Sequence, residues 1–178
     1  YFDNSLIQNF ENEKVTAFEA GYIFSSRLFS VNLNGYYTVW GNKPINTPLL
    51  IQYGDETFRS NVNGMDDLHY GIEADFAYEI PPRWKFQGLF SLGDWRWTSQ
   101  ETVTFFDENN NPIVDPTNPD EYLTYKFDAR GVHVGDAAQT QYGLSLEYEP
   151  VERAYIRVRG THFDRYFADF DPLSLYGE

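Results

Sequence analysis

From Leu68 to Ile80 the chain alternates apolar and polar residues without a break. Leu68, Tyr70, Ile72, Ala74, Phe76, Tyr78 and Ile80 fall on one side, and His69, Gly71, Glu73, Asp75, Ala77 and Glu79 on the other. Successive side chains of a strand point to opposite faces, so this pattern predicts a long strand with one apolar and one acidic face. Pro81-Pro82-Arg83 reads as a turn, after which Trp84, Phe86, Gly88, Phe90 and Leu92 carry the apolar face back. Matching the faces pairs Ile80 with Trp84, Tyr78 with Phe86 and Phe76 with Gly88, and sets Glu79 opposite Lys85. Asp94 and Arg96 interrupt the alternation; a bulge, or the end of the apolar zone, is expected there.

Two more hairpins follow the same rule. From Thr16, the residues Thr16, Phe18, Ala20, Tyr22 and Phe24 share a face. After a turn at Ser25-Ser26-Arg27, the residues Phe29, Val31, Leu33, Gly35, Tyr37 and Val39 return it. Pairing Phe24 with Phe29 aligns the two apolar faces and sets Glu19 against Asn34. Near the C-terminus, Thr140, Tyr142, Leu144, Leu146 and Tyr148 pair with Ile156, Val158, Gly160 and His162 across a turn at Pro150 to Arg153. That register puts Glu147 opposite Arg157, with Arg159 beside it. Both acid–base pairs, Glu79 with Lys85 and Glu147 with Arg157 or Arg159, are expected within salt-bridge reach.

The connections alternate in length: short, long, short, long, short. The long ones are 41–67, with a weak apolar patch at Leu49-Leu50-Ile51, and 99–137, where Glu101–Phe106 and Tyr122–Phe127 could pair as a protruding hairpin. Transmembrane barrels have long strands, apolar outside and polar inside, with short turns at one end and long loops at the other. The prediction is an all-β, antiparallel, up-and-down barrel wall of about six strands in three hairpins. Both chain ends then lie on the extracellular side, and residues 1–12 are irregular.

Composition fits this picture. Aromatic residues make up 19% of the 178-residue chain, and the net charge of −14 argues against a nucleic-acid partner. No run approaches the roughly 20 apolar residues of a membrane helix. There is no cysteine, so disulfide and thiolate chemistry are absent. A soluble β-rich carbohydrate-binding module is the competing reading; it would bury Tyr22, Phe76, Leu144 and Val158 in a core, whereas a membrane wall leaves them outward.

The strand segments carry a resemblance. Residues 12–22, Asn-Glu-Lys-Val-Thr-Ala-Phe-Glu-Ala-Gly-Tyr, are similar to the downward strand of TonB-dependent outer-membrane receptors, with Asn12 where that family usually has Pro. Residues 32–40, Asn-Leu-Asn-Gly-Tyr-Tyr-Thr-Val-Trp, resemble its upward partner, and Tyr70-Gly71-Ile72-Glu73-Ala74-Asp75 the next downward strand. Residues 91–97, 134–138 and 166–172 look like a Bacteroidetes-type branch of the family. The resemblance implies that residues 1–178 are part of the C-terminal half of a barrel of about 22 strands, with the plug domain and the terminal strand outside this sequence. It implies import of a scarce nutrient (an iron chelate, haem, cobalamin or an oligosaccharide) across the outer membrane of a Gram-negative bacterium. The implied partners are outer-membrane lipid, the protein's own plug and remaining strands, TonB through the plug, and a surface lipoprotein. A passive porin-like barrel is the alternative within the same class.

Candidate chemistry is sparse. His69, His133 and His162 are scattered, and a pore-facing or interfacial role is favoured over metal ligation. Asp107-x-Asn109-x-Asn111 starts like a calcium loop but has Pro112 and Asn118 where the glycine and glutamate belong, so a solvated turn is expected. Neither metal, cofactor nor catalytic constellation is expected. The ligand-binding candidates are Trp40, Asn42, Tyr53, Trp95 and Trp97 at the extracellular mouth, although an outer aromatic girdle is the favoured place for the tryptophans. Glu19, Asn34, Glu73, Asp75, Glu79, Lys85, Glu147, Arg157 and Arg159 are expected to line the lumen.

Overall fold

A computed structural model describes residues 12–44, 49–53, 56–60, 62, 64–107, 109 and 111–175, with the backbone alone for 49–53 and 56–59. The expectation for residues 1–12 falls almost wholly outside them. Six long strands form one antiparallel sheet: β1 (Lys14–Ser25), β2 (Phe29–Lys43), β5 (Met65–Ile80), β6 (Trp84–Trp97), β11 (Ala138–Val151) and β12 (Ala154–Tyr166), in that spatial order. Sequence neighbours among them are sheet neighbours, so the predicted meander of three hairpins is what forms. The sheet is not closed, and β1 and β12 are its edges. Within the first long connection, β3 (Leu49–Tyr53) pairs with β4 (Glu56–Ser60). The second holds β7 (Gln100–Thr104) paired with β10 (Thr124–Asp128), and β8 (Val114–Asp115) paired with β9 (Asn118–Tyr122).

The β5–β6 register is the predicted one: Ile80 opposes Trp84, Tyr78 opposes Phe86, Phe76 opposes Gly88 and Glu79 opposes Lys85. At β11–β12, Glu147 opposes Arg157 as expected. The first hairpin differs. Phe24 opposes Val31 rather than Phe29, and Glu19 opposes Tyr36 rather than Asn34. The turn sits one residue later than expected because Ser26 closes it. Its Oγ accepts from Phe29 N at 3.1 Å and donates to Phe29 O at 3.0 Å, while its own N–H donates to Phe29 O at 2.7 Å. The slip is even, so every side chain keeps its expected face. Asp94 and Arg96 lie on no bulge, for β6 pairs with β5 without interruption up to Asp67–Trp97. The irregularities fall instead between Trp40 and Lys43 on β2 and between Tyr148 and Val151 on β11.

Backbone pairs align across the sheet in rungs, one of which runs Phe24, Val31, Phe76, Gly88, Leu144, Gly160. The short turns end on different rungs. β1–β2 closes after Ser25–Ser30. β5–β6 continues three rungs further, to Ile80–Trp84. β11–β12 runs past the equivalent Tyr148–Ile156 to Val151–Ala154. The upper limit of the apolar face descends the same way, from Val39 and Leu68 to Leu92 and then Tyr142. A band that is oblique to the rungs is what tilted strands in a barrel wall produce. It also explains Asp94 and Arg96, which stand on β6 above the band.

The apolar face is outward. Tyr22 is 61% exposed, Leu144 55% and Val158 69%. Phe76 is half-buried, because its ring covers Gly88, where a Cβ would come within 2.4 Å of it. The soluble-module expectation of a core built from these four residues fails. The hydrophobic core lies at the long-loop end of the sheet, where Met65 and Trp97 at the ends of β5 and β6 join Val62, Val103, Phe105, Phe127, Ala129 and Val134 of the long connections. Residues 131–134 bond along the upper end of β6, through Trp97 N–H to Val132 O, Gly131 N–H to Trp97 O and Val134 N–H to Trp95 O, where β11 has diverged from it. Thus the two long connections and the chain's last described segment pack as one cap on the long-loop end.

Candidate binding site at the long-loop end of the polar face

The site begins with a gap. Gly71 and Gly93 oppose each other on β5 and β6, and neither has a side chain to fill the polar face. Tyr36, opposite Gly71 on β2, lies across both. A Cβ on Gly71 would sit 2.5 Å from the Tyr36 hydroxyl, and one on Gly93 would sit 2.8 Å from it. The phenol oxygen accepts a hydrogen bond from Trp95 Nε1 at 2.9 Å. Trp95 is thereby held against His69, its cross-strand partner, with ring centroids 5.1 Å apart and planes at 17°. Trp40 meets the other side of His69 at 6.4 Å. Gln139, buried on β11, fixes the Trp95 backbone by accepting from its N–H at 3.2 Å and donating to its carbonyl at 3.1 Å.

An ion pair adjoins these rings. Asp67 is fully buried. One carboxylate oxygen accepts from Lys43 Nζ at 2.8 Å, and the other lies 3.3 Å from His69 Nε2. The β2 irregularity brings the lysine there. Asn42 adopts φ 59°, its N–H bonds to the Asp66 carboxylate at 3.1 Å, and Lys43 then falls opposite Met65. The ammonium lies 5.2 Å from the Trp40 ring and 5.3 Å from the Trp97 ring, inside cation–π range. Burial of Asp67 is tolerable because a cation and the imidazole both face it.

Three of the five candidate ligand residues, Trp40, Trp95 and Trp97, therefore meet in one place. They share the polar face, so the outer-girdle expectation is wrong for all three. Their parity along each strand is that of Tyr36 and Thr38 on β2, and of Gln87 and Ser91 on β6. Trp97 is 4% exposed and belongs to the cap core, which leaves Trp40, His69 and Trp95 as the accessible ring surface. Asn42 is adjacent, and its amide nitrogen donates to Asn12 O at 3.4 Å. The Tyr53 side chain lies outside the described residues. Tyr36, Lys43, Asp67 and His69 were not among the candidates; for His69 the alternation along β5 was the available signal.

Lower on the same face are the expected wall residues. Asn32 donates to Asp75 at 3.2 Å, and Ser91 lies 3.5 Å from Glu73. Asn34 opposes Gly21 and Glu73. Arg157 Nε donates to Glu147 at 2.8 Å, forming the predicted pair. Glu79 and Lys85 oppose each other but form no ion pair, contrary to expectation; Lys85 stands on its rung between Glu79 and Glu147. Arg159 opposes Ser145 rather than a carboxylate.

The remaining polar clusters are structural. Asp107 accepts from Asn109 N, Asn111 N and Asn111 Nδ2 at 2.9, 2.7 and 3.2 Å, and these bonds, led by those from Asn111, hold its carboxyl below the ordinary range. That is a capped turn, as expected. Among the described residues no group of three His, Asp or Glu could hold a metal ion. His133 stacks on Phe167 at 3.8 Å and lies 3.6 Å from Asp94, while His162 stacks on Tyr142 at 4.8 Å on the outward face.

Long tilted strands, an outward apolar band, a polar inner face and a cap of long loops define a membrane barrel wall of the transport class. The family model of the TonB-dependent receptor-like β-barrel matches residues 1–175, and the chain belongs to that family. Neither a curated protein nor a solved structure gives a match. The family is one of outer-membrane transporters rather than enzymes.

Proposed function

We propose that this chain forms part of the wall of a receptor that imports a scarce nutrient across the outer membrane of a Gram-negative bacterium. In this reading the long-loop end is extracellular, and the remaining strands, the plug and TonB complete the machine. Ligand recognition falls to Trp40, His69 and Trp95, with the Lys43 ammonium beside them, held there by the buried Asp67. The observation that carries this reading is the ring cluster on the inner face, braced by Tyr36 over a glycine pair and adjoining the loop cap through Trp95. Stacked rings beside an ammonium suit a ligand with a flat or sugar ring and polar substituents, a chemistry common to haem, aromatic iron chelates, cobalamin and oligosaccharides. A surface lipoprotein would be an additional partner at the cap.

The test uses the full-length receptor in its host, with the nutrient identified by growth on single sources. Uptake should stop when TonB is deleted. Trp95→Ala should weaken binding about tenfold, the loss of one stacking contact with its hydrogen bond. Uptake that persists without TonB would favour the passive porin. Unchanged affinity in Trp95→Ala and Lys43→Ala would remove the site.

A further inference from the structure

We infer that the inner wall carries an extended subsite for a neutral oligosaccharide, directly below the ring cluster. The inference rests on the receptor reading above and selects one of the ligand classes given there. The register lines up one inward-facing residue from each of five strands: Asn34 on β2, Glu73 on β5, Ser91 on β6, Gln141 on β11 and Phe163 on β12. The row starts one rung below Tyr36, which bridges the glycine pair between it and Trp95. Neighbouring strands are about 4.8 Å apart, so the row is about 19 Å long, the reach of several linked pyranose rings. Asn34 and Gln141 each present an amide that donates and accepts, and neither bonds through its side chain to a described residue. Ser91 Oγ lies 3.5 Å from Glu73, which leaves that carboxylate further acceptor positions. Phe163, 57% exposed, ends the row with an open ring. Amide and carboxylate groups that take paired hydroxyls, beside a ring that stacks on a C–H face, are the set a sugar matches.

Charge decides between the ligand classes. Glu73 stands in the row, Asp75 lies one rung below it with Asn32 as donor, and Glu19 on β1 opposes Tyr36 one rung above. The cation nearest the row along β12 is Arg165, and its guanidinium is taken up by Gly93 O at 2.9 Å and Asp94 at 3.4 Å. Lys43 is held by Asp67, and Arg159 stands two rungs below the row, opposite Ser145. A ferric chelate or a haem would bring its anionic groups against three carboxylates, whereas a neutral sugar brings hydroxyls that donate to them. A flat macrocycle finds no slot between the rings, since the two sides of His69 are already taken by Trp40 and Trp95. The plug is the competing occupant of the row, and the test separates it from a sugar.

The experiment titrates the full-length receptor in detergent by calorimetry. The probes are neutral glucan, xylan, mannan and galactan hexasaccharides, the matching trisaccharides, haemin, cobalamin and a ferric catecholate. One hexasaccharide should bind, and its trisaccharide at least about tenfold more weakly, because the shorter chain fills only the ring cluster. Phe163→Ala and Gln141→Ala should each lower hexasaccharide affinity by about three- to tenfold and leave the trisaccharide unchanged. Glu73→Gln, which keeps an acceptor oxygen, should cost less than Glu73→Leu. Binding of haemin, cobalamin or the ferric catecholate in place of a glycan overturns the proposal, as does a failure of every hexasaccharide to bind. An affinity that Phe163→Ala and Gln141→Ala leave unchanged also overturns it; if those variants release the plug at lower denaturant, the row is a plug contact. TonB-dependent uptake is assayed in parallel. If uptake is TonB-dependent but the nutrient is a chelate, the oligosaccharide assignment alone has failed; if uptake is TonB-independent, the receptor reading has failed too.

Discussion

At the scale of single residues, two positions show how local chemistry shapes this wall. Gly71 is required because its neighbours leave no room, although its backbone is ordinary strand. A Cβ there would lie 2.5 Å from both Leu92 O and the Tyr36 hydroxyl. Backbone cannot yield cheaply, so Tyr36 would swing away and Trp95 would lose its acceptor. Gly71→Ala is therefore expected to cost about 1–3 kcal/mol, the usual penalty of overpacking, and to weaken ligand binding along with Trp95→Ala. The midpoint of denaturant unfolding and a binding titration read the two effects separately. In the cap, Asp128 accepts from Arg130 Nε at 2.9 Å, Nη2 at 2.6 Å and the Arg130 backbone N–H at 3.0 Å. The arginine bonds, foremost, hold its carboxyl at about 2, below the ordinary 3.8. The folded-state value is depressed, so the stabilising contribution is complete above the ordinary value and is lost as the pH falls toward 2. Arg130→Gln should return the carboxyl toward its ordinary value, which a pH titration of isotope-labelled aspartate carboxyl signals would detect.

Elements show which parts of the fold could be read in advance. The β5–β6 register was legible because two complete apolar faces and a Pro-Pro turn left a single way to align them. The first hairpin kept its faces but slipped, since the Ser26 side-chain bonds that set its turn are invisible to an alternation pattern. In the long connections the β7–β10 pairing was legible from two β-rich runs bracketed by turn residues. β3–β4 was not, because its apolar patch is short. The site was half legible: Trp40, Trp95 and Trp97 marked its position, but the outer girdle favoured for them runs against their own parity, and Lys43 reaches the site only through the irregularity at Asn42. The cap's cohesion could not be read at all, because Val62, Phe105, Phe127 and Val134 come from distant segments. Contacts of that kind make the cap one cooperative unit, with Ser60 Oγ donating to Thr104 O at 2.7 Å and Tyr125 hydroxyl donating to Leu173 O at 2.8 Å. Phe127 is 1% exposed within it. Phe127→Ala should loosen the cap by about 3–5 kcal/mol, the cost of removing a buried phenylalanine. Protease added to intact cells should then cut within 99–137, while the barrel keeps its resistance to unfolding in detergent. Loss of both together would mean that cap and wall fold as one unit.

The whole molecule combines two solvents on one sheet. The same six strands present Tyr22, Leu144 and Val158 to one side and Glu73, Lys85 and Arg157 to the other. The core that a soluble domain would place against a sheet lies instead in the cap, at one end. An outward face of this kind is stable only if hydrocarbon covers it, since apolar groups left in water forgo their transfer free energy. The oblique band defines where that cover sits: on β11 it spans Tyr142 to Tyr148, which places Leu144 well inside and leaves Thr140 near its edge. A charge at Leu144 should therefore be far costlier than one at Thr140. In outer-membrane barrels an arginine near the bilayer midplane costs about 2–4 kcal/mol, falling toward zero at the interface. Leu144→Arg in the full-length protein should lower barrel stability in lipid vesicles by an amount in that range, and Thr140→Arg by much less. Ser145→Arg, one residue along but on the inner face, would meet Arg159 and not lipid. Its penalty should fall with added salt, whereas that of Leu144→Arg should not. Equal penalties at 140 and 144 would mean that no apolar slab follows the band, and with that the oblique wall would lose its physical basis.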